Sequence, residues 1–470
     1  MNQLSGWQDT IVALATPPGI GAIGVIRLSG NKSFEIANAI FPSKDLKKQK
    51  SHTAHFGELW PTPLPSGKGL ILSLPTEGVG PLDEVLITIF KNPKSYTGED
   101  VIEISCHGSP YIQQEIISAC INLGARLAKP GEFTQRAFLN GKLDLAQAEA
   151  VADVIAANSK AAQETALKQL RGGFSSDLKL LRDELINFTA LIELELDFSD
   201  EDVEFADREQ FKTLISNLKS KISNLINSFQ LGNAIKNGVS VAIIGKPNSG
   251  KSTLLNALLN EERAIVSDIA GTTRDTIEET LNINGVLFRL IDTAGIREHT
   301  TDTIESIGIE RSKQNAEKAD IILHLIDMTD EDPNDFPWLN EFADKTIEVY
   351  NKADIQNHQW AMGNRQWAIA LSAKQKTGMD ELKTLLFEKA IGESINTENT
   401  IVTNARHHNA LQKILESLKA IENGMKNNIS GDLLSIDIRR ALHYLGEITG
   451  QVEVDRDILG TIFGKFCIGK

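Results

Sequence analysis

The stretch "VSVAIIGKPNSGKSTLLNALL", residues 239–259, decides the fold of the middle of this chain. It opens with an apolar run typical of a buried strand, passes through a glycine-rich loop and ends in a helical pattern. From Gly245 to Ser252 the loop matches GxxxxGK[ST], in the strand–loop–helix context that identifies a phosphate-binding loop. The glycines of such a loop let backbone amides face the phosphates, and the helix N-terminus adds positive potential. We expect Lys251 to lie on the β- and γ-phosphates and Ser252 to bind Mg²⁺.

Four further motifs follow in the order expected of a GTP-hydrolysing switch domain: GTTRD from Gly271, DTAG from Asp292, NKAD from Asn351 and SAK from Ser372. A carboxylate can accept both N1–H and N2–H of guanine, so we expect Asp354 to select GTP over ATP, because the wrong base would leave a buried charge unpaired. The predicted GTP-binding residues are Asn248, Ser249, Gly250, Lys251, Ser252, Thr253, Ser267, Asp268, Ile269, Ala270, Gly271, Thr272, Thr273, Asp292, Thr293, Ala294, Gly295, Asn351, Lys352, Ala353, Asp354, Ser372, Ala373 and Lys374.

Ile296, directly after DTAG, raises a question about hydrolysis. In Ras-type switches a glutamine at this place orients the attacking water. The isoleucine side chain has neither a donor nor an acceptor for a hydrogen bond. Either the protein barely hydrolyses nucleotide, or another group orients the water.

Composition sets broad limits. The 470 residues are 41% hydrophobic and 24% charged, as in a globular protein, and their number predicts roughly three domains. Three cysteines without a CxxC motif favour a reducing cytoplasm and argue against a zinc site. The N-terminal stretch has no basic segment and reaches Pro17 early, so we expect no signal peptide; apolar runs are also too short for a membrane span. With a net charge of −15, any nucleic acid must meet a local basic patch or a basic partner.

Patterning along the chain predicts four segments. Residues 1–140 hold most of the prolines and alternating runs such as "DEVLITIF", which favour a mixed α/β domain. Residues 141–236 contain no proline, and Leu218, Ile222, Leu225 and Phe229 recur at helical spacing. Residues 237–393 alternate strands with helices, as in a parallel sheet, and helical patterns return in residues 394–470. The predicted fold is therefore multidomain: a doubly wound, mostly parallel α/β GTPase domain inserted into an all-α domain, preceded by an α/β domain.

Two other motifs resemble functional sites. Gly19 to Gly24 satisfy GxGxxG, but the next residues have a strand pattern, whereas a dinucleotide fingerprint requires a helix there. Cys106 and His107 are adjacent on a predicted strand, so their side chains should point to opposite faces. We therefore reject a dinucleotide site and favour a structural or substrate-lining role for the Cys–His pair.

Several longer stretches carry a resemblance to a known family. They are "TIVALATPPGIGAIGVIRLSG", "SYTGEDVIEISCHG", "KPGEFTQRAFLNGKLDLAQAEAVADVI", "GKPNSGKSTLLNAL", "DIAGTTRDT" and the terminal "FCIGK". Together they resemble the MnmE (TrmE) family of tRNA-modification GTPases, from Thr10 to Lys470. Departures are small: Lys246 replaces an arginine and Ser267 a common threonine.

The resemblance implies a cytoplasmic, membrane-free enzyme that acts on tRNA. The family forms homodimers through the N-terminal domain and heterotetramers with two subunits of MnmG, an FAD-containing protein. Together they install an aminomethyl or carboxymethylaminomethyl group at C5 of the wobble uridine, U34. The N-terminal domain is similar to a folate-binding module, which implies 5-formyltetrahydrofolate or a related one-carbon folate. The implied folate contacts are Arg27, Glu103, Lys142 and Lys470, for each of which the alternative is an ordinary surface charge or ion pair.

The resemblance also implies an answer to Ile296. Besides Mg²⁺ on Ser252 and Thr273, K⁺ would neutralise charge between the β- and γ-phosphates, and Glu305 would orient the water through a second water. The alternative for Glu305 is a solvated acid in the first turn of a helix. Cys467 corresponds to a near-terminal cysteine suspected of a role in the modification; the alternative is a thiol with no functional task. The implied K⁺ ligands are Asn248, Ser267, Ile269 and Thr272.

Two other functions stay open at this point. A ribosome-assembly or translational GTPase has a nearly identical switch domain, but we find neither a KH-type RNA-binding domain nor a second GTPase module in the sequence. A folate-dependent one-carbon transferase regulated by GTP would share the N-terminal residues, and it would transfer the one-carbon group without MnmG.

Overall fold

The chain divides into two compact units in a computed structural model: Met1–Ala152 with Thr449–Lys470, and Asp153–Ile448. None of the helices that can be described is long and apolar enough to cross a membrane. The described residues are 9–61, 80–197, 208–262, 279–291, 305–330, 336–355, 366–391, 400–427, 429, 431–450 and 469.

The first unit is built on a six-stranded sheet with the order β3-β4-β5-β2-β1-β6. Neighbouring strands are antiparallel except β1 and β6, which are parallel. One face is apolar and buried against two helices, α1 (Ser33–Ile40) and α2 (Pro110–Asn122). The strands are β1 (Ile11–Leu14), β2 (Ile23–Ser29), β3 (Thr53–Leu59), β4 (Asp83–Phe90), β5 (Val101–His107) and β6 (Arg126–Leu127).

The second unit contains a six-stranded sheet with the order β12-β11-β10-β7-β9-β8. All neighbours are parallel except the hairpin β8–β9, as predicted for a doubly wound domain. The strands are β7 (Val239–Ile244), β8 (Glu279–Ile283), β9 (Val286–Leu290), β10 (Ile321–Asp327), β11 (Thr346–Asn351) and β12 (Ala368–Ala370).

Helices surround this sheet and flank it in sequence. Helix α7 (Arg208–Asn227), before the sheet, packs along α12 (Ala405–Lys426), after it, and Lys219 of α7 forms an ion pair with Glu422 of α12. The predicted insertion of an α/β domain into a helical domain is therefore confirmed. Beyond α1 and α2, the helices are α3 (Glu132–Leu139), α4 (Leu145–Ala156), α5 (Lys160–Leu170), α6 (Gly173–Asp197), α7 (Arg208–Asn227), α8 (Phe229–Asn237), α9 (Lys251–Glu262), α10 (Glu305–Lys318), α11 (Met379–Ile391), α12 (Ala405–Lys426) and α13 (Gly431–Thr449), with 3₁₀ turns at Leu46–Lys48 and Pro337–Lys345.

One helical stripe was predicted wrongly. Phe229 does not continue the stripe of Leu218, Ile222 and Leu225, because α7 ends at Asn227 and Phe229 begins α8. At the junction the Ser228 hydroxyl donates to Leu225 O at 2.7 Å and accepts from Val402 N at 3.0 Å. The break is thus fixed by a segment more than 170 residues later, which apolar spacing cannot reveal.

Both rejected motifs behave as predicted. Residues after the GxGxxG match form strand β2, so the helix required for a dinucleotide site is not there. Cys106 is 3% exposed and lies in the core, whereas the His107 side chain is 68% exposed and holds Asp83 at 2.7 Å. The two side chains point to opposite faces of β5.

Candidate functional site

Glycines allow the phosphate loop to pass close to its neighbours. The loop connects β7 to α9, and Gly250 has φ +99°, a conformation that disfavours any side chain. A Cβ at Gly250 would lie 2.3 Å from Asn351 Nδ2, and a Cβ at Gly245 would lie 2.5 Å from Leu325 O. Glycine is needed at both positions because the backbone packs directly against strands β10 and β11.

Lys251 is placed at the start of α9, inside the loop. Its ammonium donates to Gly245 O at 2.6 Å and to Lys246 O at 2.8 Å. Burial lowers the pKa of Lys251, so its charge is poorly solvated and gains from a nearby anion. Ser252 follows on the first turn and is half-buried. The arrangement suits the phosphates of a nucleotide, which helix N-termini bind.

Asn351 joins three of the predicted motifs. At the end of β11 it is 3% exposed, and its Nδ2 donates to Ser249 O of the phosphate loop at 2.8 Å. Its Oδ1 accepts from Ala373 N of the SAK segment at 3.0 Å. Residues more than 100 positions apart thereby form one site.

Two carboxylates that were not predicted as site residues lie at the end of β10 and just after it. Asp327 forms an ion pair with Lys352 and accepts from the N–H and the hydroxyl of Thr329, at 2.9 and 2.7 Å. Burial alone would raise the pKa of Asp327, but the bonds from Lys352 and Thr329 outweigh it and hold the pKa below its usual value. Asp330 forms an ion pair with Lys246 at 3.0 Å. The available signal was a carboxylate ending the strand "IILHLID", because ligands bind at the carboxyl ends of parallel strands.

Asp354, predicted to select guanine, is exposed. Its Oδ2 accepts from Gln375 Nε2 at 3.4 Å, and Gln375 N donates to Ser372 Oγ at 3.2 Å, so the NKAD and SAK segments lie side by side. Within SAK, Ala373 is buried and Lys374 exposed. The carboxylate is accessible to a ligand. For Asp354 to be a buried charge when it selects guanine, the bound base itself must cover it.

The remaining predicted site residues divide into two groups. Asn248 and Thr253 are exposed, Asn248 with φ +63° at the tip of the loop, and Glu305 is the first residue of α10. The predicted residues that lie outside the described part of the chain are Ser267, Asp268, Ile269, Ala270, Gly271, Thr272, Thr273, Asp292, Thr293, Ala294, Gly295, Cys467 and Lys470.

In the first unit, two predicted folate residues lie together. Arg27 on β2 and Glu103 on β5 are register partners, and the guanidinium contacts Glu103 Oε1 through Nε at 2.9 Å and Nη2 at 2.8 Å. The Tyr96 and Phe133 rings lie 5.7 and 5.6 Å from the Arg27 guanidinium carbon. Neither ring was predicted to lie at this place, because nothing in the local sequence pattern relates them to β2.

The other two folate candidates lie differently. Lys142 is exposed, donates from Nζ to Pro93 O at 3.1 Å, and packs near Gly98, so it lies against the segment that also carries Tyr96. Lys470 is outside the described residues, but its neighbour Gly469 accepts from Arg27 Nη1 at 3.3 Å. Arg27, Glu103 and the penultimate residue are therefore assembled. The contacts are also those of the alternative, an ordinary ion pair.

The comparisons with known proteins cover almost the whole chain. The family model for the GTP-binding protein TrmE N-terminus matches residues 10–142, and the model for the MnmE helical domain matches residues 145–467. Proteins named tRNA modification GTPase MnmE from Cytophaga hutchinsonii and Flavobacterium johnsoniae are both 50% identical to it, over 98% of this chain and 98% and 99% of theirs. The protein of the same name from Bacteroides fragilis is 49% identical over 98% of this chain and 100% of its own. The chain belongs to the MnmE family.

Proposed function

We propose that this chain hydrolyses GTP in order to modify C5 of the wobble uridine, U34, in tRNA, together with an MnmG subunit. Family membership makes it a tRNA-modification GTPase and favours this role over ribosome assembly. The observation that carries the nucleotide half of the proposal is the position of Asn351, whose amide links the phosphate loop at Ser249 to the SAK segment at Ala373. A guanine nucleotide would span the same three segments.

The hydrolytic half of the proposal starts from the phosphate loop, which follows β7 at the carboxyl edge of the second sheet. Lys251 would bind the β- and γ-phosphates, and Ser252 with Thr273 would hold Mg²⁺. The proposed K⁺ ligands are oxygens, the donors that hard cations prefer, and Asn248 offers its amide oxygen from an exposed loop tip. Bound K⁺ would supply positive charge beside the phosphates. Glu305, at the start of α10, would orient the water in place of Ile296.

The one-carbon half rests on the Arg27–Glu103 pair. A guanidinium suits the glutamate tail of a folate, and a carboxylate suits the N–H edge of the pterin. Both side chains are partly exposed, at 21% and 24%, and two aromatic rings lie beside Arg27, so bound 5-formyltetrahydrofolate would have polar and apolar partners at the same place. Two further folate contacts would come from Lys142 and Lys470, and Cys467 would take part in the modification.

The assembly completes the proposal. We place a homodimer contact in the first unit and two MnmG subunits beside it, in the cytoplasm. Because the chain carries a net charge of −15, MnmG would supply much of the surface that binds tRNA. We also propose the four segments 1–140, 141–236, 237–393 and 394–470 as folate-binding, helical, GTPase and helical parts.

Nucleoside mass spectrometry of total tRNA tests the function directly. A strain that lacks this gene should lose C5-modified wobble uridine, and the gene should restore it. The variant Lys251→Ala should not restore it, whereas Asp380→Asn, which removes an exposed carboxylate on α11, should. Normal modification in the deletion strain would contradict the proposal.

A further inference from the structure

Strand β10 occupies a particular place in the second sheet. It lies between β7, which leads into the phosphate loop, and β11, which leads into NKAD. In register, Asp327 at the end of β10 pairs with Asn351 at the end of β11, and His324 pairs with Ile244 of β7. The turn that follows Asp327 is therefore flanked by both nucleotide-binding loops.

Two carboxylates, Asp327 before the turn and Asp330 within it, contact one of these loops each. Asp327 forms an ion pair with the ammonium of Lys352, in the NKAD segment. Asp330 forms an ion pair with the ammonium of Lys246, in the phosphate loop, at 3.0 Å. Both Thr329 donors bind the other oxygen of Asp327, so the carboxylate is fixed in orientation. The two contacts differ in burial, because Asp327 is 14% exposed and Asp330 32%. Less solvent screening makes the Asp327 contact the stronger one.

Lys352 needs such a partner. Its backbone has φ +67°, a left-handed conformation that costs a lysine free energy and persists only where contacts with the surroundings offset that cost. This conformation turns the chain between Asn351 and Asp354, and the turn is closed by Ile355 N donating to Lys352 O at 3.0 Å. The direction in which Asp354 is presented thus depends on Lys352.

We infer that Asp327 is a positioning residue for guanine recognition: by holding Lys352 it sets the conformation that presents Asp354 to the base. The inference rests on the proposed role of Asp354 as the guanine reader. It adds a specificity-determining residue outside the loops that touch the nucleotide.

Competition binding of GDP and of inosine diphosphate, which lacks the exocyclic amine, tests this on the purified full chain. Wild type should prefer GDP. Asp327→Asn should weaken GDP binding about tenfold, the scale of one hydrogen bond to a charged group, and should narrow the preference for GDP. Thr329→Val keeps the Asp327 carboxylate but removes one of its two hydrogen-bond donors. It should weaken GDP binding and narrow the preference for GDP, each by a smaller factor than Asp327→Asn. Asp380→Asn, an exposed carboxylate in the same unit, is the matched control and should change neither.

A double-mutant cycle shows whether Asp327 acts through Lys352. In a Lys352→Met background, Asp327→Asn should cause no further loss beyond about twofold. A preference unchanged in Asp327→Asn, or an equal loss for both nucleotides, would overturn the inference while leaving the proposed function intact. Equal wild-type affinities for the two nucleotides would instead remove Asp354 as the guanine reader and the inference with it. If Asp327→Asn does not fold, an unchanged preference in Thr329→Val overturns the inference.

Discussion

Asn351 Nδ2 lies 2.8 Å from Ser249 O and occupies the space that a side chain at Gly250 would need. The last residue of β11 and the phosphate loop are therefore in direct contact, with no room for a methyl group between them. We therefore expect nucleotide binding and packing of the sheet edge to depend on the same contact.

Gly250→Ala tests this contact, with Gly124→Ala as its control. Both glycines have φ +99°, so both substitutions carry a similar backbone strain. At Gly124 no heavy atom of the described residues beyond its chain neighbours lies within 4 Å of the added Cβ, whereas at Gly250 Asn351 lies at 2.3 Å. We expect Gly124→Ala to lower stability by about 1–3 kcal/mol with normal GTP affinity. Gly250→Ala should also abolish most GTP binding, as measured by calorimetry; normal affinity would show that the contact is dispensable.

Guanine selection should depend on Asp354. Replacing it with asparagine removes an acceptor and adds a donor, so GTP binding should weaken by about 1.5–3 kcal/mol, and xanthosine triphosphate should gain relative to GTP. Competition binding of the two nucleotides measures the change. The control is Asp344→Asn, an exposed carboxylate in the 3₁₀ turn Pro337–Lys345 to which we assign no role at the base. An unchanged preference in Asp354→Asn would exclude Asp354 from the base pocket.

Hydrolysis should depend on K⁺ and on Glu305. At equal ionic strength we expect hydrolysis to be ~10-fold or more faster in K⁺ than in Na⁺, because positive charge would then lie where charge develops. Asn248→Ala should remove the difference. Glu305→Ala should lose ~100-fold in rate while keeping GTP affinity, as expected for a group that acts only in the transition state. A rate that ignores the cation and survives Glu305→Ala would leave Ile296 unexplained.

The isolated segment of residues 237–393 should be less stable than a segment that also includes α8. Residues 237–393 should fold and bind guanine nucleotides, but the core of this domain also contains Leu231, Ala234 and Ile235 of α8. Leaving out α8 removes the burial of two large aliphatic side chains, worth roughly 1.5–3 kcal/mol each. A segment of residues 228–393 should therefore unfold at a higher denaturant concentration than residues 237–393. Equal midpoints would show that α8 belongs to the helical part alone, and a well-behaved monomer of residues 141–235 would contradict the insertion.

Two of the three cysteines should be inert in the folded protein. Burial, with a smaller contribution from Asp83, raises the pKa of Cys106 from 9.0 to about 11, and burial raises that of Cys120 to about 12. At pH 8.5, intact mass spectrometry should show alkylation of at most one cysteine in the native protein and of all three after denaturation. The native Cys467→Ser variant should not be alkylated. Because the unfolded thiols ionise first, the free energy of unfolding should fall as pH rises from 9 toward 11. Rapid modification of all three in the native protein would contradict this burial.

The order of the motifs predicted three segments that meet in the described part of the chain: the phosphate loop, NKAD and SAK. Strand β4 coincides with the predicted run "DEVLITIF", and the loop from Gly245 to Ser252 lies between a strand and a helix as expected. These features depend on residues that are neighbours in sequence, where periodicity and glycine spacing carry the information. The insertion was also readable, since helical patterns stop and resume on either side of the strands.

Tertiary structure alone decided which distant side chains meet. Asp327 reaches Lys352, Tyr96 and Phe133 flank Arg27, and Ser228 breaks a helical stripe because Val402 is bound there. Each of these contacts joins segments that the fold brings together from 25 to more than 170 positions apart. No local pattern encodes them, because they arise from strand order and from the packing of one element on another. The sequence by itself determined which chemistry is available, and the fold determined which residues orient it.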